Sequence, residues 1–279
     1  MKYGFVIPGG NLNTILDLAS AAEKAGWDGV FYWDAVYIEQ PNFKPLMYDP
    51  WTVLAAIATR TKKIRIGALL TAVNRRRPWK LAREATTVDH LSGGRLIMPV
   101  GLGALDDGGY SKVGEPLDRK TRAELLDEGL DILNGLWTGK PFSYHGKHYN
   151  MKKMTFRPRP IQKPRIPIWV VGAWPRMKSM RRALKYDGLI PTKKTLSGSF
   201  AEITLDDIRE IKKFVATHRK AKSAFQIIQE GQTPVGSRIQ GEEIVQKWEE
   251  AGATWWIESR WTKTNEVRPR IKQGPPRVD

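Results

Sequence analysis

The residues of this chain whose types and spacing suit chemistry fall in a few short stretches. In WVVGAWPRMKSMRR (169–182), the strand end Val171-Gly172-Ala173-Trp174 runs into a helix start with Pro175 early and Arg176 and Lys178 beside it. Backbone N–H groups at a helix N-terminus flanked by cations make an anion site suited to a phosphate. A solvated basic helix face explains the same residues. Thr192-Lys193-Lys194 adds charge, and its two lysines are candidates for contact with an anionic substrate. Gly101-Leu102-Gly103 ends another strand and lets backbone approach a planar ring or a phosphate. As a dinucleotide fingerprint it fails, because GLGALD lacks the third glycine. In TWWIE, alternation puts Thr254, Trp256 and Glu258 on one face. If that face points inward near a ligand, Glu258 is a general acid or base; a structural ion pair with an arginine is the competing reading. Arg75, Arg76 and Arg77 end an apolar run just before Pro78. They either meet an anionic ligand or tie the loop to acidic neighbours such as Asp34, Glu84 and Asp106, since the guanidinium fork serves both. Asp34 itself reads equally well as a helix or turn cap. His145 and His148 have HxxH spacing without a third ligand, so no metal is expected.

Composition bounds these readings. The 46 Lys+Arg against 29 Asp+Glu give a net charge of +17, which attracts phosphorylated ligands, acidic substrates and, nonspecifically, nucleic acid. Basic clusters at 152–165, 176–185 and 212–222 carry no nucleic-acid-binding signature, so no specific nucleic acid is expected. There are no cysteines, which excludes disulfides, a thiolate nucleophile and a thiolate metal site. MKYGFVIPGGNLN is too short in apolar residues for a signal peptide, and no run reaches membrane-spanning length. A soluble, cytoplasmic protein without membrane association is expected.

The elements that must position these residues alternate regularly. Strand-like runs at 3–7, 29–33, 63–70, 95–101, 167–171, 188–192, 224–231 and 254–258 are separated by helical patterns at 12–25, 51–60, 80–91, 122–137, 176–186, 204–220 and 242–252, with a short helix at the C-terminus. The stretch 138–165, rich in Gly, Pro and aromatics, reads as a hairpin excursion between the fourth helix and the fifth strand. Eight βα repeats without a linker predict an α/β protein: one (β/α)8 barrel domain over 1–279, with its active face at the βα-loops.

The segment DHLSGGRLIMPVGLG (89–103), with RRRPWKLARE before it and GYSKVGEPLDRKTRAELLDEGLDILNGLWTG after it, resembles the luciferase-like monooxygenase family. FSYHGKHYNM (142–151), RPIQKPRIPIWVVG (159–172), KYDGLIP (185–191) and GATWWIE (252–258) match further landmarks in order, so the resemblance covers nearly the whole chain. It implies an oxidoreductase that binds FMN, or alternatively the deazaflavin F420, and activates oxygen or transfers hydride on a small organic substrate. Leu69-Leu70-Thr71 is then the place of a bulge behind the cofactor ring, sometimes with a non-proline cis peptide. Gly101, Leu102 and Gly103 approach the cofactor, and Val171, Gly172, Ala173, Trp174, Arg176 and Lys178 hold its phosphate. Asp34 is the catalytic-loop acid, while Trp33, Tyr37, Lys193 and Lys194 meet the substrate. Many relatives read Asp-His where this chain has Asp34-Ala35, and related F420 enzymes carry a glutamate where it has Ala104, departures that favour FMN. The family also implies a separate flavin reductase and a homodimer built on WTVLAAIATR (51–60), although a helix buried in the monomer explains Leu54, Ala55 and Ala58 as well. From a different class of function, a non-catalytic basic barrel that binds polyanions remains open.

Overall fold

The structure, a computed structural model, describes residues 1–38, 45–104, 107–195, 200–261 and 264–278. In chain order it runs β1 (Lys2–Ile7), α1 (Leu12–Lys24), β2 (Gly29–Tyr32), α2 (Pro50–Arg60), β3 (Arg65–Ala68), β4 (Thr71–Ala72), α3 (Pro78–Leu91), β5 (Met98–Gly101), α4 (Gly108–Ser111) and α5 (Arg119–Trp137). It continues with β6 (Pro141–His145), β7 (Asn150–Thr155), β8 (Ile168–Trp174), α6 (Met177–Ala183), β9 (Gly188–Lys194), β10 (Phe200–Ala201), α7 (Leu205–His218), β11 (Gln226–Gly231), α8 (Arg238–Ala251), β12 (Trp255–Ser259) and α9 (Thr264–Lys272).

The main sheet is ordered β3-β2-β1-β12-β11-β9-β8-β5-β4, and these pairings are parallel. The ends meet where Ile97 N–H donates to the Ile66 carbonyl at 2.8 Å and Ile66 N–H to that of Arg95 at 3.1 Å, closing an α/β barrel of eight strand positions. Of the expected third strand, 63–70, β3 covers Arg65–Ala68; the Leu69–Leu70 peptide that follows is cis, and β4 comes after it. The hairpin excursion is present as the antiparallel pair β6–β7.

Strand alternation sorts the core into two populations. Val6, Phe31, Ile97, Trp169, Ile228, Trp255 and Ile257 fill the barrel interior, with Phe31–Trp169 and Trp169–Trp255 ring centroids 5.7 and 5.0 Å apart. The complementary set, including Trp256, packs outward on the helices. Side-chain caps start the helices where the sequence supplies them: Asn11, Asp49, Asp118 and Ser237 accept from the first turns of α1, α2, α5 and α8, and Thr204 and Asp207 form a capping box on α7. Leu54 and Ala58 are buried in the monomer core, which accounts for the apolar face of α2. Among the described residues, no helix is long and apolar enough to cross a membrane.

Candidate active site at the C-terminal mouth of the barrel

A cavity of about 560 Å³ opens where β3, β5, β8 and β9 end. Alternation decides which residues reach it. Leu70, Leu102, Val171 and Ala173 give it an apolar wall, with Thr192 and Lys194 from the next strand over and Gly103 and Ala104 from the loop after β5. Gly101 lies against this wall: a Cβ there would come within 3.1 Å of Leu70 and Val171, so glycine keeps the wall open. The remaining lining is Leu117, Ser179 and three arginines, Arg119 and Arg122 from α5 and Arg182 from α6, the last paired with Asp127 at 2.8 Å.

The Arg122 guanidinium is buried and donates to the carbonyls of Leu102 at 3.0 Å and Gly103 at 3.4 Å, while its Nε–H has no partner. Tyr110 donates its hydroxyl to the same Leu102 carbonyl at 2.7 Å. Gly103 has φ +73°, and a Cβ on it would collide with that hydroxyl. The loop that lines the cavity is therefore fixed by two side-chain donors and one left-handed glycine.

The cavity takes in six of the expected cofactor and substrate residues: Leu70, Leu102, Gly103, Val171, Ala173 and Lys194. Others stand close behind it: Leu69 belongs to the barrel interior, and Thr71 is buried with an unpartnered hydroxyl. Gly172 and Trp174 point the other way along β8, Gly172 toward Leu189 and Met180 and Trp174 onto Phe214 at 5.9 Å. The residues expected to anchor a phosphate do not line the cavity, apart from Val171 and Ala173. The helix begins at Met177 and is only seven residues long, Arg176 and Lys178 are exposed, and the cations that line the cavity are Arg119, Arg122 and Arg182. Lys193 is committed outward to Asp207, at 2.8 and 3.0 Å. Trp33 is buried at the mouth, edge-on to Trp261 with centroids 6.4 Å apart. Tyr37 donates its backbone N–H to Asp107 at 3.0 Å and lies under Lys112.

The two expected catalytic acids are both structural in their surroundings. Asp34 is 1% exposed and held by Arg75 at 2.9 Å and Arg76 at 3.0 Å. The inward reading of Glu258 is corrected. Its register partner is Gly231, whereas inward-facing Ile257 pairs with Glu230. Glu258 thus points out of the barrel, where it accepts from the Thr233 N–H and hydroxyl and pairs with Arg260 at 3.0 Å and Arg270 at 3.7 Å. The same register that turns Glu258 away turns Glu230 in. Glu230 accepts from the Trp261 indole N–H at 2.9 Å, and no cation pairs with it among the described residues. β9 and β11 pair at Gln226–Gly188 and Ile227–Leu189, and Glu230 lies further along β11, outside the residues that line the cavity.

The arginine run is a lock. Arg75 bridges Asp34 and Asp107, Arg76 holds Asp34, and Glu84 pairs instead with Lys80 at 3.1 Å. The sequence expectation for Asp106 lies outside the described residues; its neighbour Asp107 is the partner. Burial works to raise the Asp107 carboxyl, but the Arg75 guanidinium and the N–H groups of Tyr37 and Gly109 outweigh it and hold the group below its ordinary value of 3.8. A depressed carboxyl stabilises the fold above its unfolded value and loses that contribution as pH falls through the folded one. Stability from urea unfolding is therefore expected to fall as pH drops below about 4, and Asp107→Asn is expected to be less stable at pH 7 with a shallower acid limb.

The sequence model described as luciferase-like monooxygenase matches residues 1–253. The chain belongs to the luciferase-like monooxygenase family. It is 32% identical over 173 residues to an F420-dependent glucose-6-phosphate dehydrogenase of Microbacterium testaceum, covering 58% of this chain and 48% of that protein. It is 29% identical over 197 residues to the FMNH(2)-dependent dimethylsulfone monooxygenase of Pseudomonas putida, covering 69% of this chain and 51% of that one. The chain spans about half the length of the curated relatives it matches. In fold it is similar to an F420-dependent secondary alcohol dehydrogenase solved with an F420-acetone adduct, at a TM-score of 0.78 and 17% identity over 99% of this chain and 98% of the other.

Within this luciferase-like barrel, sequence reasoning passed over Arg119, Arg122, Arg182 and Glu230. A signal for the first two was present. Asp118-Arg119-Lys120-Thr121-Arg122 puts cations in the first turn of α5, where the helix dipole disfavours them, and such a placement asks for an anion.

Proposed function

We propose that this chain is a flavin-type oxidoreductase acting on a small organic substrate, with FMN held in the cavity at the C-terminal mouth. The observation that carries the reading is the pairing, in one cavity of about 560 Å³, of an apolar wall with a group of cations. That volume falls within the roughly 300–1,000 Å³ of small-molecule pockets. A cofactor with a planar ring and a phosphate needs both surfaces.

Leu70, Leu102 and Val171 would take the ring, and Arg119, Arg182, Lys194 and Ser179 the phosphate. Bound there, the cofactor supplies the redox chemistry, and the protein supplies position, electrostatics and exclusion of water. Arg122 and Tyr110 keep the 102–103 carbonyls turned to themselves, so that the loop presents one fixed surface. Trp33 and Trp261 shield the centre of the mouth. Glu230 is the carboxylate that accepts or donates the substrate proton at its Oε atoms, a role that Ala35 and Ala104 have no side chain to fill. In the FMN reading, a separate flavin reductase delivers the reduced cofactor.

F420 is the second reading. It is supported by Arg119 and Arg122 at the cavity, which no carboxylate holds among the described residues, and by the F420-dependent enzymes among the relatives. A phosphate with an acidic tail would use more of that charge than FMN does.

Arg119 is the cleanest probe of the anchor, because no carboxylate holds it among the described residues. Burial lowers its guanidinium value, and Arg176, Arg122 and Arg182 lower it further, as expected for a cation facing other cations. Arg119→Ala is expected to weaken cofactor binding about tenfold with an unchanged unfolding midpoint. Fluorescence titration checks this, and equal affinity in the variant would move the phosphate elsewhere.

A further inference from the structure

The opposite end of the barrel carries a second basic cavity, of about 250 Å³, that the reading above does not use. Inward positions of a barrel of this kind are ordinarily filled by layers of bulky apolar side chains. Here the N-terminal layer holds Lys2 on β1, Arg65 on β3 and Gln226 on β11 beside Trp169 and Trp255, while Gly29 and Gly188 make room for the rings: a Cβ would come within 3.0 Å of Trp255 at the first and 2.6 Å of Trp169 at the second. Lys163 and Arg165 reach the same cavity from the loop before β8.

The cavity carries four cations, Lys2, Arg65, Lys163 and Arg165, against one carboxylate. Arg165 is paired with Asp187, the one carboxylate in the lining, which also accepts the Ile168 N–H at 2.8 Å. Arg65 is held by neutral acceptors, the Gly94 carbonyl at 3.0 Å and Gln162 Oε1 at 3.2 Å, which orient its guanidinium without neutralising it. Lys2 lies 5.7 Å from the centre of the Trp255 ring, and Lys163 has no partner among the described residues. Lys2 and Arg65 also line a neighbouring cavity with Glu23 and Asp28, neither of which forms an ion pair with them: Glu23 accepts from the N–H groups of Lys62, Lys63 and Ile64, and Asp28 from the Tyr3 N–H and Arg277. Three cations are thus gathered at one small opening, two of them placed by strand alternation. Like charges gathered around one cavity repel one another, and a multivalent anion relieves that repulsion.

We propose that the N-terminal mouth of the barrel is a binding site for a diphosphate group, free or carried by a nucleotide, with Lys2, Arg65 and Lys163 as its ligands. The site lies at the opposite end of the barrel from the proposed cofactor cavity and stands independently of the proposed function. Isothermal titration of the whole chain with inorganic pyrophosphate and, separately, with ADP tests it.

Lys2→Glu/Lys163→Glu removes the two exposed ligands, and Lys213→Glu/Lys247→Glu, on exposed faces of α7 and α8, makes the same change in net charge elsewhere. The expected result is saturable pyrophosphate or ADP binding that weakens at least tenfold in the first variant and less than twofold in the second. Tighter binding of ADP assigns the site to nucleotide phosphates, and tighter binding of pyrophosphate assigns it to the free anion. No saturable binding of either, no change in the first variant, or equal weakening in both variants would overturn the proposal. Far-ultraviolet circular dichroism of each variant confirms that the fold is kept.

Discussion

Arg75→Ala is expected to destabilise the chain by about 3–5 kcal/mol, the loss typical when one partner of a buried ion pair is removed. The side chains of Arg75, Asp34 and Asp107 are 4%, 1% and 4% exposed, so the substitution strands carboxylates that water does not reach. Asp34 keeps Arg76, but Asp107 loses the only cation that holds it among the described residues. Because a domain of ordinary stability has only about 5–15 kcal/mol in hand, the variant should unfold at far lower urea or accumulate poorly. Neighbouring positions sharpen the test. Arg76 is 19% exposed and shares its carboxylate, so Arg76→Ala is expected to cost about 1 kcal/mol, while Arg77, without an ion pair among the described residues, should be near neutral. Equal costs at the three positions would contradict the lock.

Glu230→Gln is expected to lower kcat/KM by about 10²–10⁴-fold, the span associated with losing a positioned general acid or base. The substitution keeps the shape and leaves an acceptor for the Trp261 indole, so cofactor affinity and the unfolding midpoint should stay within about twofold and 1 kcal/mol of the parent. The substrate for this measurement comes from a screen of small alcohols, aldehydes and ketones against the cofactor-loaded chain. Glu258→Gln should show the reverse pattern, with a large loss of stability and little loss of turnover per folded molecule, because Glu258 anchors Thr233, Arg260 and Arg270 behind the barrel wall. Loss of turnover in Glu258→Gln with full activity in Glu230→Gln would reverse the assignment.

The contrast between these two glutamates shows where the sequence stops being legible. The alternation of apolar runs and helical patterns is written into periodicity, and it placed all eight strand positions of the barrel. Which face of a strand looks inward is written in the same way only when one face is polar. In TWWIE one face carries Thr254, Trp256 and Glu258 and the other Trp255 and Ile257, and a tryptophan on each face masks which is interior; the packing of Trp255 and Ile257 inside the barrel decides it. Lys193 and Lys194 pose the same problem at the end of β9, where one position separates a partner of Asp207 from a wall of the cavity. The glycines at 101 and 103 were legible, because close approach and a left-handed turn each leave glycine as the residue of choice. The cations of the cavity were half legible: the sequence pointed to 176–178, yet those that line it come from α5 and from one turn further along α6, brought together only by the closing of the barrel.

The account rests on a cofactor occupying the mouth, and the most direct measurement is equilibrium fluorescence titration of the purified chain with FMN and, separately, with F420 at two salt concentrations. Saturable binding of one of them at micromolar concentration or tighter, weakened by salt and by Arg119→Ala, is the predicted result. Binding of neither would contradict the account and leave a basic barrel whose cavity holds some other anion.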